Sequence, residues 1–215
     1  EQLEYMSIVV RALFRPRVFT ACVVMFSMIA SGIVVINGFA VSMFVRVGLD
    51  LKTAAWYNVG ICVIMVGGCF LSSYFIDRFG RRPLLLFTLP ALVIFNILIA
   101  IFIYFESMQS SIFAYLMIAV ICIFALVFST GPCPVSFFLA AELCPPHSRG
   151  AAMTWTSFVL ATIRTIVLAI YSPLLNLIGS ALTYFILFVP VMVAAIVYLY
   201  FFLPETKKQG KKHSI

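Results

Sequence analysis

Six long apolar runs, Val18–Phe44, Ala54–Ile76, Pro83–Tyr104, Ile112–Ala141, Ala152–Ile178 and Leu182–Leu203, occupy most of this 215-residue chain. Each can cross a bilayer as a helix, since ~30 Å of hydrocarbon takes about 20 apolar residues. Hydrocarbon offers no water to bond backbone amides, so only helices and closed barrels span it. Barrel strands would alternate in ~10-residue pieces, and these runs do not alternate. Hydrophobic residues make up 64% of the chain, more than a water-soluble domain accommodates. The expected fold is all-α: a six-helix membrane bundle over 18–203, after a linker end (1–17) and before a basic tail (204–215). Several runs exceed the minimum length, so tilts or kinks absorb the excess.

The basic residues set the orientation. Short loops rich in Lys and Arg stay on the cytoplasmic side. Arg11, Arg15, Arg17, Arg78, Arg81, Arg82, Arg149, Lys207, Lys208, Lys211 and Lys212 fall on one side of the alternating spans, against Arg46 and Lys52 on the other. Both ends of the chain are therefore expected in the cytoplasm. The net charge of +7 is mainly this topology signal and gives no reason to expect a nucleic-acid partner. The first run follows three arginines and is too long for a signal peptide. The chain opens on Glu1 and reads as a segment of a longer polypeptide.

Chemistry is sparse. The six cysteines lie in or beside apolar runs without C-x-x-C spacing and read as small buried hydrophobes. His147 and His213 fall in a loop and the tail, and Asp50 and Asp77 at span edges, so no intramembrane protease centre or metal site is legible. No phosphate-binding glycine loop is present in the sequence. The chain reads as a non-enzyme without a cofactor.

The charges that remain are concentrated. In DRFGRRP (77–83), Asp77, Arg78, Arg81 and Arg82 crowd a tight turn between the second and third spans. Gly80 permits a backbone conformation closed to other residues, and Pro83 suits a first helical turn. Such a turn holds its charges against helix ends. The carboxylates expected at the same face are Glu142 in AAELCPPHSRG, with Arg149 seven residues on, and Glu205 in PETKK. An Arg–carboxylate pair at a helix end is geometrically specific and can break and re-form, so two readings stand: a charge lock, or ordinary topology charge.

These segments resemble the carboxyl-terminal half of a sugar porter, the major facilitator family that includes the facilitative glucose and fructose transporters. DRFGRR (77–82) is similar to the family's acidic-Arg-x-Gly-Arg-Arg loop. TGPCPVSFFLAAEL (130–143) resembles its Gly-Pro-x-Pro helix ending in Ala-Glu-Leu. Arg149 followed by GAAM, PETK (204–207) and LFRPRVF (13–19) match further segments in order. The resemblance implies six helices arranged as two inverted three-helix repeats, one half of a twelve-helix carrier, in the plasma membrane, partnered by an amino-terminal half of the same chain. It also implies that the charges at 77–82, Glu142, Arg149 and Glu205 bridge the bundle at the cytoplasmic face. Spans one and four are the long ones and carry helix-loosening residues, Ser31-Gly32 and Asn37-Gly38 in one, Gly131-Pro132-x-Pro134 in the other. Interrupted helices in corresponding positions of two repeats point to a transport pathway, and Pro132 and Pro134 are expected to bend span four as a gate.

The chain departs from the family where sugar is held. Aligned on Ser31-Gly32-Ile33, Met28 and Ile29 replace a glutamine pair and Val34 an asparagine; Gly38 and Phe39 replace an aromatic pair. Met65, Phe137, Leu160 and Ala161 stand at further polar or tryptophan positions. A buried polar group without a partner costs ~1–3 kcal/mol, so a pocket lined this way disfavours a hexose.

Arg164, in LATIRTIVL, is the only charged residue within a span. A charge near mid-bilayer costs ~2.5 kcal/mol or more and faces a cavity or a partner. It is expected either to line the pathway and bind a small polar or anionic substrate, or to form a structural ion pair with an acidic residue of the amino half or hydrogen bonds to carbonyls of a broken helix. Asn37 is a second pathway candidate. Asn58 and Asn96 read as helix-to-helix hydrogen bonds, Ser129 and Thr130 as gate-lining or bonded back to their own helix, and Gly60, Gly67 and Gly68 as sites of close packing. The function expected is half of an alternating-access carrier; the alternative is a transporter-shaped receptor or scaffold that does not transport.

Overall fold

The computed structural model describes residues 16–46, 48–105, 111–142 and 149–202. Among these residues eight helices and no strand occur: α1 (Pro16–Ala30), α2 (Ile33–Arg46), α3 (Leu51–Phe79), α4 (Arg81–Tyr104), α5 (Ser111–Thr130), α6 (Pro132–Glu142), α7 (Arg149–Ile178) and α8 (Ser180–Phe202). They make six spans, each long and apolar enough to cross a membrane. Span one is α1 with α2, span four is α5 with α6, and the others are single helices. This is an all-α, multi-pass membrane protein.

The spans fall into matched pairs. Spans one and four are the most buried, with 61% and 56% of their most apolar stretch inside; spans three and six are equal at 39%; spans two and five are the least, at 22% and 6%. The first, second and third helices of each repeat thus occupy equivalent environments. Packing repeats the pattern: α3 packs chiefly on α5, α1 packs on α7, and α4 and α8 pack on one another. The core lies between spans one, three, four and six, built from large side chains such as Phe44, Phe124, Phe128, Leu85 and Phe188.

Both members of the central pair are broken, but not at every loosening residue. Span one breaks at Ser31–Gly32, where Gly32 takes φ 85°, a left-handed value open mainly to glycine. Asn37-Gly38 stays helical within α2, and Leu168 Cδ2 of α7 stands at ordinary contact distance, 3.6 Å, from where a Gly38 Cβ would be. Span four breaks at Gly131, and Pro132 opens α6. Proline suits that place, because the first amide of a helix has no intrahelical acceptor. Pro90, Pro173 and Pro190 lie inside α4, α7 and α8 without ending them.

The glycines of span two behave differently from one another. Gly68 is buried where α3 meets α5, with Ser129 Cβ 3.0 Å from the position of an added Cβ. Gly60 and Gly67 are exposed with nothing within 4 Å, so neither packs closely on a helix among the described residues.

Candidate transport pathway and charged helix ends

DRFGRRP is less a loop than a junction. Asp77 and Arg78 end α3, Arg81, Arg82 and Pro83 begin α4, and Gly80 alone joins them at φ 88° and ψ 170°. Its amide still bonds the Ile76 carbonyl at 3.0 Å, closing α3. The basic side chains therefore project from helix ends. Arg82 Nη2 donates to the Tyr200 carbonyl at 3.4 Å, in the last turn of α8. Arg78 Nη1 donates to the Tyr74 hydroxyl at 2.9 Å, one turn back on its own helix. Arg81 and Arg82 are half-buried; Asp77 and Arg78 are exposed. The side chains of Glu142 and Arg149, and all of Glu205, lie outside the described residues. The junction is thus tied to spans two, three and six, with a backbone carbonyl as one acceptor.

At the span-one break the backbone is re-bonded in a specific way. Val35 and Ile36 amides both reach the Gly32 carbonyl at 3.1 Å, and the Gly32 amide reaches Ile29. The Ser31 hydroxyl donates to the Met28 carbonyl at 2.6 Å. Asn96 Nδ2, from α4, donates to the Ser31 carbonyl at 2.9 Å, and the Tyr184 hydroxyl, from α8, donates to Asn96 Oδ1 at 2.7 Å. Asn96, Tyr184 and Ser31 are fully buried. Asn96 is therefore the helix-to-helix bond expected from its apolar setting, with a backbone partner and a tyrosine that the sequence does not point to. At the span-four break, Ser129 and Thr130 hydroxyls both bond back to the Leu126 carbonyl, at 3.1 and 2.7 Å. Gly131 is held against Thr88 of α4, whose Cβ and Cγ2 are 2.6 Å from the site of an added Cβ. One helix, α4, braces both interruptions.

Arg164 sits at the middle of α7 and is exposed. Seven residues turn a helix by nearly two full turns, so Arg164 and Tyr171 share a face to within about 20°. That face meets α2: Tyr171 packs on Phe39 with ring centroids 5.1 Å apart, and Leu168 Cδ2 lies 3.6 Å from where a Gly38 Cβ would be. The two contacts advance together along both helices, so α2 and α7 run in the same direction. Arg164, one turn before Leu168, is then level with Val34, just past the span-one break. Asn37, on α2, is also exposed.

The sequence over residues 2–213 matches the model of the family described as "Sugar (and other) transporter". The chain belongs to that family. Among its relatives, the glucose transporter GlcP of Staphylococcus epidermidis is 28% identical over 82% of this chain and 39% of its own length. Facilitated glucose transporter member 2 of solute carrier family 2 from Gallus gallus is 26% identical over 90% of this chain and 36% of its own. The facilitated trehalose transporter Tret1 of Aedes aegypti is 26% identical over 82% of this chain and 22% of its own. The chain thus spans well under half the length of these relatives.

Within this transporter-family chain, the positions that departed from the sugar-handling pattern scatter across environments. Ile29 is buried in the core, while Met28, Val34 and Met65 are half-buried and packed against it. Phe39 is engaged with Tyr171, and Leu160 is half-buried. Gly38, Ala161 and Phe137 are exposed, Phe137 on α6 just past the Gly131 break. Pro132 is buried and Pro134 half-buried in the first turn of α6. Among the described residues no group of three or more His, Cys, Asp or Glu side chains is placed to hold a metal. Cys22, Cys62, Cys69, Cys122 and Cys133 remain thiols.

Proposed function

We propose that this chain is the carboxyl-terminal six-helix half of a sugar-transporter-like carrier that works by alternating access. The observation that carries the reading is the matched interruption of spans one and four, at Ser31–Gly32 and at Gly131, in the two most buried helices of a repeated fold. Broken helices in corresponding positions of two repeats place flexible backbone beside a substrate site. The weakly covered spans two and five, with exposed Trp56, Val63, Phe70, Phe158 and Ile166, present the apolar face to which the amino-terminal half would dock. The excess of Lys and Arg at one face supports cytoplasmic ends; the plasma-membrane location rests on the family resemblance alone. On the same reading Asp77, Arg78, Gly80, Arg81 and Arg82, with Glu142, Arg149 and Glu205, form the cytoplasmic lock.

Within that reading the substrate is a small polar molecule with an anionic group rather than an ordinary hexose. Arg164, in the middle of α7, and Asn37, on α2, are exposed polar groups in largely apolar spans. A guanidinium there supplies a fork of donors to a carboxylate or similar group, while Met28, Val34, Met65 and Leu160 offer no partner to a ring of hydroxyls. The same apolar positions favour the second reading, a receptor or scaffold that does not transport.

The test is uptake by the complete chain containing residues 1–215, purified into liposomes, with labelled D-glucose, lactate and urate. Uptake of an anion, lost in Arg164→Ala, with glucose at background is the expected result. Glucose uptake unaffected by Arg164→Ala overturns the anion assignment. Saturable binding without uptake of any of the three favours the receptor.

A further inference from the structure

We propose that Asn96 and Tyr184 are positioning residues that hold span one bent at Ser31–Gly32, so that α2 can move as a rod separate from α1. In an unbroken helix the Ser31 carbonyl would accept the Val35 amide. Here that amide bonds Gly32 instead, and the Asn96 carboxamide takes the vacated carbonyl at 2.9 Å. The Met28 carbonyl, whose helical donor would be the Gly32 amide, is bonded by the Ser31 hydroxyl. Two of the carbonyls released by the break, those of Met28 and Ser31, are thus satisfied by side chains. In a membrane interior no water does this, and an unsatisfied carbonyl would drive the helix to re-form.

The orientation of the carboxamide matters as much as its presence. An amide flipped end for end would set oxygen against oxygen at Ser31. The Tyr184 hydroxyl, donating to Asn96 Oδ1 at 2.7 Å, fixes the amide with its NH2 toward the carbonyl. Asn96 and Tyr184 stand on α4 and α8, which pack on one another, and α1 packs on α8. The segment beyond the break, α2, packs chiefly on α3, a weakly buried span. The three groups therefore anchor the bend to the platform formed by α4 and α8, while α2 beyond it makes its main contact elsewhere. Gly32 completes the arrangement, since a Cβ there would lie 2.9 Å from the Tyr184 hydroxyl oxygen.

What the bend does rests on the carrier reading above; that it exists does not. The complete chain, in a cysteine-free background, receives spin labels at Val45→Cys and Leu182→Cys, both exposed and near the same membrane face. Pulsed-resonance distances are measured in liposomes beside uptake of labelled D-glucose and lactate. Asn96→Leu removes the donor and is expected to shift the distance distribution and lower maximal uptake at least about tenfold, with KM changed less than about twofold, because bending and not binding is lost. Tyr184→Phe, which keeps the aromatic volume, is expected to shift both in the same direction by less. Should Asn96→Leu fail to fold, Tyr184→Phe decides alone. Distances identical to the parent's overturn the proposal whatever uptake shows. Shifted distances with no uptake by the parent uphold the latch and count against the carrier reading instead.

Discussion

Arg82 at the start of α4 donates through Nη2 to the Tyr200 carbonyl, 3.4 Å away in the last turn of α8. Carbonyls of a last turn lack intrahelical donors and carry the negative end of the helix dipole. A cation placed there is stabilising without needing a carboxylate. Arg82→Ala is expected to lower the stability of the detergent-solubilised full chain by about 0.3–1 kcal/mol at low ionic strength, and by less in high salt. Thermal unfolding at two salt concentrations checks this. An equal loss at both would assign the effect to packing of the arginine's stem.

Gly131 meets Thr88 more closely than any residue with a side chain can. Thr88 Cβ and Cγ2 lie 2.6 Å from the site of an added Cβ, while the threonine hydroxyl is already committed to the Leu84 carbonyl at 2.8 Å. Gly131→Ala should cost about 1–3 kcal/mol, the usual range for overpacking. The cost should shrink when Thr88→Gly is added, giving a coupling of at least about 0.5 kcal/mol between contacting sites. Additive losses in a double-mutant cycle would show that the space beside Thr88 is not what glycine supplies at Gly131.

Three glycines on α3 should respond in opposite directions. Gly68→Ala pushes a methyl into Ser129 and the Leu126 carbonyl, 3.0 and 3.2 Å from its Cβ position. Gly67→Ala and Gly60→Ala meet nothing within 4 Å. Alanine is the better helix former by about 0.8–1 kcal/mol, so these two should be neutral or stabilising unless an amino-terminal half covers them. Thermal stability of the complete chain therefore reports on docking: a marked loss in Gly67→Ala would place that glycine in contact with the other half.

Much of this was legible in the sequence, and the exceptions share a cause. The six spans follow from apolar length alone, and the breaks at Ser31–Gly32 and Gly131–Pro132 from residues that loosen a helix. Asn37-Gly38 carries the same local signal yet stays helical within α2. Asn96 announced a buried hydrogen bond by its apolar neighbours, but its partner is a backbone carbonyl 65 residues away. Arg82 shows the same limit, since every residue carries a carbonyl and none is marked as an acceptor. Gly60, Gly67 and Gly68 are alike as letters; only the position of α5 separates the third from the others. Local signals specify where backbone can bend, and tertiary neighbours choose among those places.

Arg164 offers the sharpest division between a binding role and a structural one. A guanidinium near the middle of a span costs ~2.5 kcal/mol or more, so something compensates for it. If it lines a water-filled pathway, hydration compensates, and replacing it with an apolar residue should leave the protein as stable or more so. If it pairs with an acidic residue from another helix, its removal strands a buried charge and should cost about 3–5 kcal/mol. The pathway reading therefore expects Arg164→Leu to unfold no earlier than the parent while anion uptake disappears. Arg164→Gln should lose uptake as well, because polarity without charge does not hold an anion. Arg164→Lys should retain part of it, since an ammonium keeps the charge and loses the planar fork. Thermal unfolding measured beside uptake for the three variants separates the outcomes: early unfolding of both neutral variants assigns Arg164 to an ion pair, and unimpaired anion uptake in Arg164→Leu removes it from the substrate site.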